Sequence, residues 1–530
     1  MSALTGTRHL VRLVLRRDRV LLPLWVLVLA LLPVSYAASF FELFPTAVER
    51  AAYTEGTARN PSIVALLGPV YGDSVGALTA QRSGFLLVIV GLFSLLTVIR
   101  HTRTEEEAGR RELLGGSVLG RHAGLTAALL VTYAADALLG LLTAAGLHAT
   151  GLPATGSYAY GLAAALTGMV FATLGALAAQ LTETAGGARG IGLAGLGAAF
   201  GLRLVGDTAG NDWPSWLSPL GWAARVRPYE GERWWVLLLP LAATVLLAAL
   251  AYPVSVRRDL GAGVLPPRLG PATAGGALSG PFGLAWRLHR GQLLWWSVGF
   301  GLLGLILGGA AEAAGRSVEG NPQLAEIMAR LGGAAGLSDA YLGATLSLAG
   351  LAAAGYGIQA ALRMRAEESA GRAEPVLATG TRRSTWLLSH VLFALLGPVV
   401  VLAATGLTTG LTYGLSVGDV PRQVGRTLGA GLAQAPAAWV VAGLAVLLHG
   451  LLPRLASAAW AVLVVCVLLG QLGAVLELDR WLLDLSPFTH TPQVLRDAWS
   501  ATPLFLLTAL AAAMVVAGLL TFRRRDVPVG

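Results

Sequence analysis

The sequence predicts an all-α integral membrane protein of about 12 transmembrane helices, arranged as two parallel six-helix repeats with both termini cytoplasmic. Three observations predict it: a composition too apolar for a water-facing surface, a series of apolar runs of spanning length, and a charged segment that occurs twice.

The chain has 530 residues, 55% hydrophobic and 13% charged, with a mean hydropathy of +0.66. A soluble domain carries about 25% charged residues to cover its surface, so most of this surface belongs in lipid. All 38 residues counted as Lys+Arg are Arg. Without a lysine, a phosphate-binding loop of the GxxxxGK[ST] type cannot form in this chain. The single Cys466 excludes a disulfide framework, and no His/Asp/Glu set has metal-ligand spacing.

Arg8, Arg12, Arg16, Arg17 and Arg19 lead into the first apolar run, Val20–Ser39. Leu10, Leu13 and Val14, interleaved with Arg12 and Arg16, predict an amphipathic helix lying at the membrane interface before it. Further runs follow at Gly84–Ile99, Ala123–Leu147, Tyr158–Leu181, Ala188–Val205 and Trp234–Val256. The second half repeats the series at Leu293–Ala311, Ala340–Met364, Thr385–Thr409, Leu428–Leu452, Leu455–Leu476 and Thr502–Thr521. Each is close to the roughly 20 residues that a bilayer core requires. With the N-terminus inside, the cytoplasmic segments hold 25 Arg against 11 acids, and the outer segments 13 Arg against 17. The opposite orientation violates the positive-inside rule.

The charged segment Arg103-Thr-Glu105-Glu106-Glu107-Ala-Gly109-Arg110-Arg111-Glu112 recurs 262 residues later as Arg365-Ala-Glu367-Glu368-Ser-Ala-Gly371-Arg372-Ala-Glu374. Three more landmarks keep register: Asn60-Pro61 with Asn321-Pro322, Ser218-Pro219 with Ser486-Pro487, and Arg257-Arg258-Asp259 with Arg524-Arg525-Asp526. The chain therefore reads as a duplicated six-span unit, residues 1–260 and 281–530, joined by a Gly/Pro-rich cytoplasmic linker at 261–280. Phe282–Arg290 reads as the second copy of the interfacial helix.

If the charged segment is helical, Arg103 and Glu107, Glu106 and Arg110, and Glu368 and Arg372 stand four apart. Such pairs contribute only about 0.2–0.5 kcal/mol each. Gly109 and Gly371 fit a bend where a span turns along the membrane surface. A solvated positive-inside loop explains the Arg but not the matching acids, so the segments read as a docking surface.

The pattern Glu105-x3-Gly109-x2-Glu112-x-Leu114, with Glu367-x3-Gly371-x2-Glu374-x-Val376, resembles the signature after the second span of type-two ATP-binding-cassette (ABC) permeases. The fused twelve-span form is similar to actinobacterial exporters of polyketide antibiotics and other drugs. The resemblance implies that Arg103, Glu105, Glu106, Gly109, Arg110 and Glu112, and Arg365, Glu367, Glu368, Gly371, Arg372 and Glu374, form two coupling helices. Each would seat on one subunit of a homodimeric P-loop ATPase in a bacterial plasma membrane. ATP and Mg would belong to that partner, with no cofactor in this chain, which is then a transport subunit and no enzyme. Charge reversal at Glu105 and Glu367 is expected to uncouple efflux from ATP hydrolysis. Two departures, Pro375 for Leu113 and Ser369 for Glu107, leave the equivalence of the docking sites open.

Phe85, Phe93 and Phe200 lie on helices that in that family line the central cavity, with Tyr356 and Gln359 as second-half counterparts. Packing against a neighbouring helix is the competing role for each. Asp136 is the one acid deep in an apolar run, where a charge is costly unless paired. It reads as a proton carrier, a substrate contact or an interhelical hydrogen-bonding group. An ion-coupled secondary transporter with two parallel halves is the alternative function, but Asp136 has no acidic twin.

Overall fold

The computed structural model describes residues 2–526 apart from 116–117, 209–210, 260, 266–271, 274, 317–332, 473–478, 493 and 496–499. Asn321-Pro322, parts of the 261–280 linker and the end of the eleventh apolar run lie outside the described residues. The described residues contain helices and no strand. They form two compact units, Met1–Gly270 and Pro271–Gly530.

Among the described residues twelve helices have the length and composition to cross a membrane. In the first unit they are Leu21–Leu43, Gly84–Glu107, Ala123–Ala149, Ala154–Leu181, Ala185–Thr208 and Trp234–Arg257. In the second they are Pro281–Ala311, Ser338–Ser369, Arg383–Val417, Val420–Leu451, Pro453–Gly470 and Thr502–Arg524. Every apolar run of the sequence is thus a spanning helix, and the chain is a multi-pass membrane protein.

With lipid outside, helices associate through close backbone approach as much as through apolar burial. The third and fourth spans cross at Gly140 and Gly161, where a methyl group added to either glycine would collide with the carbonyl oxygen of the other. In the second unit the tenth and twelfth spans also meet at backbone distance, where a methyl group on Gly450 would meet Gly518 O and one on Gly518 would meet Val446 O.

Both Ser-Pro landmarks start a short helix. Ser218 Oγ accepts from the backbone N–H groups of Leu220 and Gly221, capping Pro219–Arg225. Ser486 Oγ accepts from Phe488 N–H, capping the 3-10 turn Pro487–His490. Serine at the cap with proline at the first helical position satisfies an orphan donor and presets φ.

The interfacial helix of the first unit is Thr7–Arg17, separated from its span by a break at Asp18. Phe282–Arg290 does not repeat it as a separate element, because Pro281–Arg316 is one continuous helix. The physical difference lies in the tertiary partners. The buried Asp18 carboxylate is held by His101 at 2.6 Å and Arg100 at 3.2 Å at the end of the second span, which fixes the chain where it turns. In the second unit His289 instead meets His390 side on at 2.9 Å, and among the described residues no carboxylate bonds to it.

Candidate functional site

Each unit carries its charged segment as a helix–glycine–helix hairpin. The second span ends at Glu107, Gly109 takes φ = +67°, and a short helix follows at Arg110–Gly115. The eighth span ends at Ser369, Gly371 also takes φ = +67°, and Ala373–Ala378 follows. That left-handed backbone is accessible to glycine and costs other residues about 1–2 kcal/mol.

The bend replaces the four-residue spacing with another pairing rule. Arg110 Nε and Nη2 both donate to Glu105 at 2.8 Å, five residues away across Gly109. Arg372 Nε and Nη2 donate to Glu367 at 2.8 and 3.1 Å, again five residues away. Arg103 pairs with Glu106 at 2.8 Å rather than with Glu107. A left-handed glycine ends the helix, so residues four apart across it no longer stack and the fifth turns back onto the first. Arg110 stays exposed, and its bonds to Glu105 push its guanidinium above its ordinary pKa.

The second glutamate of each segment points the other way, into its own unit. Glu106 accepts from Arg103 and from Arg258 at 2.9 Å, and it also pairs with Arg111. Glu368 accepts from Arg525 Nη2 at 2.7 and 2.8 Å and faces His449 at 3.3 Å. Arg258 and Arg525 follow the last span of each unit. The repeated Arg-Arg-Asp triplet thus supplies a brace that ties each hairpin to its sixth helix. Sequence reasoning registered the triplet as a landmark and missed this role, for which a repeated base facing a repeated acid was the available signal.

Charge reversal at Glu105 and Glu367 would therefore break the bend as well as any docking contact. The groups each hairpin leaves exposed are Glu107, Ala108, Arg110 and Glu112 in the first unit, and Ser369, Ala370, Arg372, Glu374 and Pro375 in the second. Glu107 is also an acceptor for Ala185 N–H at 2.9 Å, so it caps the start of the fifth span. Ser369, its replacement, bonds its own helix at Ala366 O, and the matching eleventh span begins with a 3-10 turn at Pro453–Ala458.

A chain of Mycobacterium tuberculosis, the multidrug efflux system permease protein Rv1217c, is 45% identical over 527 residues, covering 99% of this chain and 96% of that one. Residues 278–523 match the family described as the C-terminal domain of the multidrug efflux system permease Rv1217c. The chain belongs to the Rv1217c permease family. With its twelve spanning helices it is a multi-pass protein of a bacterial plasma membrane.

Within this permease the candidate cavity residues sit as follows. Phe85 and Phe200 meet edge to face at 6.1 Å, joining the second and fifth spans, and Phe93 stacks on Trp25 of the first span at 5.6 Å. Tyr356 is fully buried inside the second unit against Trp296 at 5.8 Å, and its ring fills the space left open by Gly397. Gln359 is exposed and accepts from Gln292 at 3.3 Å. Asp136 is fully buried on the third span. Its Oδ1 accepts from Ser94 Oγ at 2.7 Å, and its Oδ2 has no hydrogen-bond partner. Gly168 of the fourth span leaves room for this carboxyl.

Among the described residues no ion pair reaches Asp136. Asp136→Asn is expected to shift stability by less than about 1 kcal/mol, because the amide oxygen still accepts from Ser94. Transport by that variant should be unchanged. Drug efflux assayed in cells checks this, and loss of efflux with normal membrane levels would assign the carboxyl a proton-carrying role.

Proposed function

We propose that this chain is the membrane-spanning subunit of an ABC exporter that moves hydrophobic or amphipathic, drug-like compounds out of the cell. Permeation itself follows from the family; export of drugs is carried by the name of the Mycobacterium tuberculosis relative, a multidrug efflux system permease. In this reading the Arg-rich ends and both termini face the cytoplasm, as the positive-inside rule requires. ATP and Mg are bound by a separate homodimeric P-loop ATPase, since a chain without lysine has no such loop of its own. Cargo crosses along the membrane-spanning helices, with Phe85, Phe93 and Phe200 contributing apolar surface.

The observation that carries the reading is the braced hairpin found in each unit. Its outer face is exposed and charged, while its inner glutamate is bonded to the arginine that follows the last span. A partner pressing on the outer face would move the hairpin and its bracing helices together. A ligand-driven switch needs such contacts to differ between two states.

The test reverses the exposed acids and spares the internal pairs. Glu112→Arg with Glu374→Arg is expected to cut ATP-dependent efflux at least about tenfold, the factor for a loss of roughly 1.4 kcal/mol of coupling. Membrane levels should be normal, and copurification of a P-loop ATPase should be lost. Full efflux and an intact complex in this variant would remove the hairpins from the docking role. Efflux that persists without ATP and stops when the proton gradient collapses would replace the ABC reading with ion-coupled transport.

A further inference from the structure

At the hairpin end of the first unit lies a cavity of about 490 Å³ that the proposed coupling role does not use. Five segments wall it: the interfacial helix Thr7–Arg17, the second span's end with the charged hairpin, residues 119–125 leading into the third span, Gln180 at the end of the fourth, and the segment around Arg258 after the sixth. The interfacial helix is held in place at its start. Gly120 N–H donates to Thr5 O at 2.9 Å, and His122 N–H donates to Ala3 O at 3.0 Å. These two bonds tie the chain just before the helix to the segment that leads into the third span.

The lining divides by chemistry. Leu10, Leu13, Leu119, Leu125 and Val256 form an apolar side. Arg17, Arg111, Arg121 and Arg258 converge from four different segments on the other. The acids among them are already committed. Glu105 is shared by Arg17 and Arg110, and Glu106 by Arg103, Arg111 and Arg258. Four guanidinium groups, of Arg17, Arg111, Arg121 and Arg258, line the cavity against the three carboxylates of Glu105, Glu106 and Asp259, and Arg103 and Arg110 share the two glutamates from outside it. Arg121 is exposed and makes no ion pair among the described residues.

A half-apolar, half-cationic cavity beside an amphipathic helix, at the ends of membrane spans, has the form of a site for an amphiphile with an anionic head. Its volume falls in the range of small-molecule sites, roughly 300–1,000 Å³. We propose that this cavity binds the phosphate head of an anionic phospholipid, with an acyl chain laid along the leucine side. The lipid phosphate supplies the negative charge that Arg121 lacks among the described residues. Because Glu105, Glu106 and Arg111 belong to the hairpin, the bound lipid becomes part of the hairpin's support. The inference does not depend on what docks on the hairpin's outer face.

The test uses the full chain purified in a neutral detergent and titrated with phosphatidylglycerol or phosphatidylcholine, with bound lipid counted by native mass spectrometry. One phosphatidylglycerol is expected to bind at least about tenfold more tightly than phosphatidylcholine. Arg121→Gln should weaken it about fivefold, the contribution of one basic residue at a lipid headgroup. Leu13→Gln, on the exposed side of the interfacial helix, should also weaken it. Arg8→Gln, on the same helix but outside the cavity, should leave binding unchanged. Equal binding of the two lipids would overturn the proposal, as would equal weakening by Arg8→Gln and Arg121→Gln. Displacement of phosphatidylglycerol by millimolar inorganic phosphate would make the site one for free phosphate and remove the lipid assignment.

Discussion

Arg103→Ala is expected to lower the apparent unfolding temperature of the permease by roughly 6–12 degrees, and Arg365→Ala by no more than about 2. The two arginines hold the same place in the repeated segment but not the same environment. Arg103 is fully buried. It donates to Ala179 O at 3.0 Å, Ala262 O at 2.7 Å and Gly261 O at 3.3 Å, besides pairing with Glu106. Removing it strands the buried Ala179 carbonyl and takes one partner from the buried Glu106, at about 1–3 kcal/mol for each buried group left unmade, and opens a cavity as well. A total of about 3 kcal/mol is a conservative sum. Arg365 is half-buried and reaches Arg454 O and Ser457 Oγ only at 3.4 and 3.5 Å, the margin of a hydrogen bond. Arg103→Lys should recover little, because one ammonium cannot span carbonyls that the guanidinium fork reaches together. Thermal unfolding of both variants in detergent checks the contrast, and equal shifts would show that burial at Arg103 is not what sets its cost.

Gly161→Leu is expected to abolish the folded first unit. The third and fourth spans meet there backbone to backbone, so a side chain at Gly161 would drive into the carbonyl of Gly140 and the methyl of Ala144. Overpacking costs about 1–3 kcal/mol where side chains can yield, and more where the obstacle is backbone. The close approach that bonds these helices in lipid would be lost with it. Gly197 of the fifth span is the control, because a methyl group there meets nothing within 4 Å. Gly197→Ala should be neutral or gain up to about 1 kcal/mol in helix propensity. Size-exclusion profiles and yields of the two variants separate a packing contact from a general intolerance of larger residues.

The spans were legible because each is a local property. An apolar run such as Ala123–Leu147 has no other way to satisfy its backbone in lipid, and it appears as Ala123–Ala149. The bends at Gly109 and Gly371 were legible for the same reason, since a glycine among helix formers marks a special φ. What escaped the sequence depends on residues far apart in the chain. The break after the interfacial helix rests on Asp18 meeting His101, 83 residues away, and nothing local distinguishes it from the unbroken helix through His289. The pairing of Glu106 with Arg258 crosses 152 residues, so spacing arguments within the segment assigned the acids to the wrong partners. Asp136 stood out by charge alone, but its single bond to Ser94 could be found only once the second and third spans were placed side by side.

Glu107 caps the fifth span, Arg103 grips carbonyls at the end of the fourth and beyond the sixth, and Arg258 holds Glu106, so the first hairpin is fastened to three helices besides its own. The second hairpin has Ser369 where that cap would be and a loosely held Arg365, and it is fastened chiefly through Glu368 to His449 and Arg525. In mechanical terms one arm is stiff and the other compliant. Two identical half-length chains would have arms of equal stiffness by symmetry. Joining the halves in one polypeptide frees each arm to be tuned alone, so under the proposed coupling role the same push would deform one hairpin before the other.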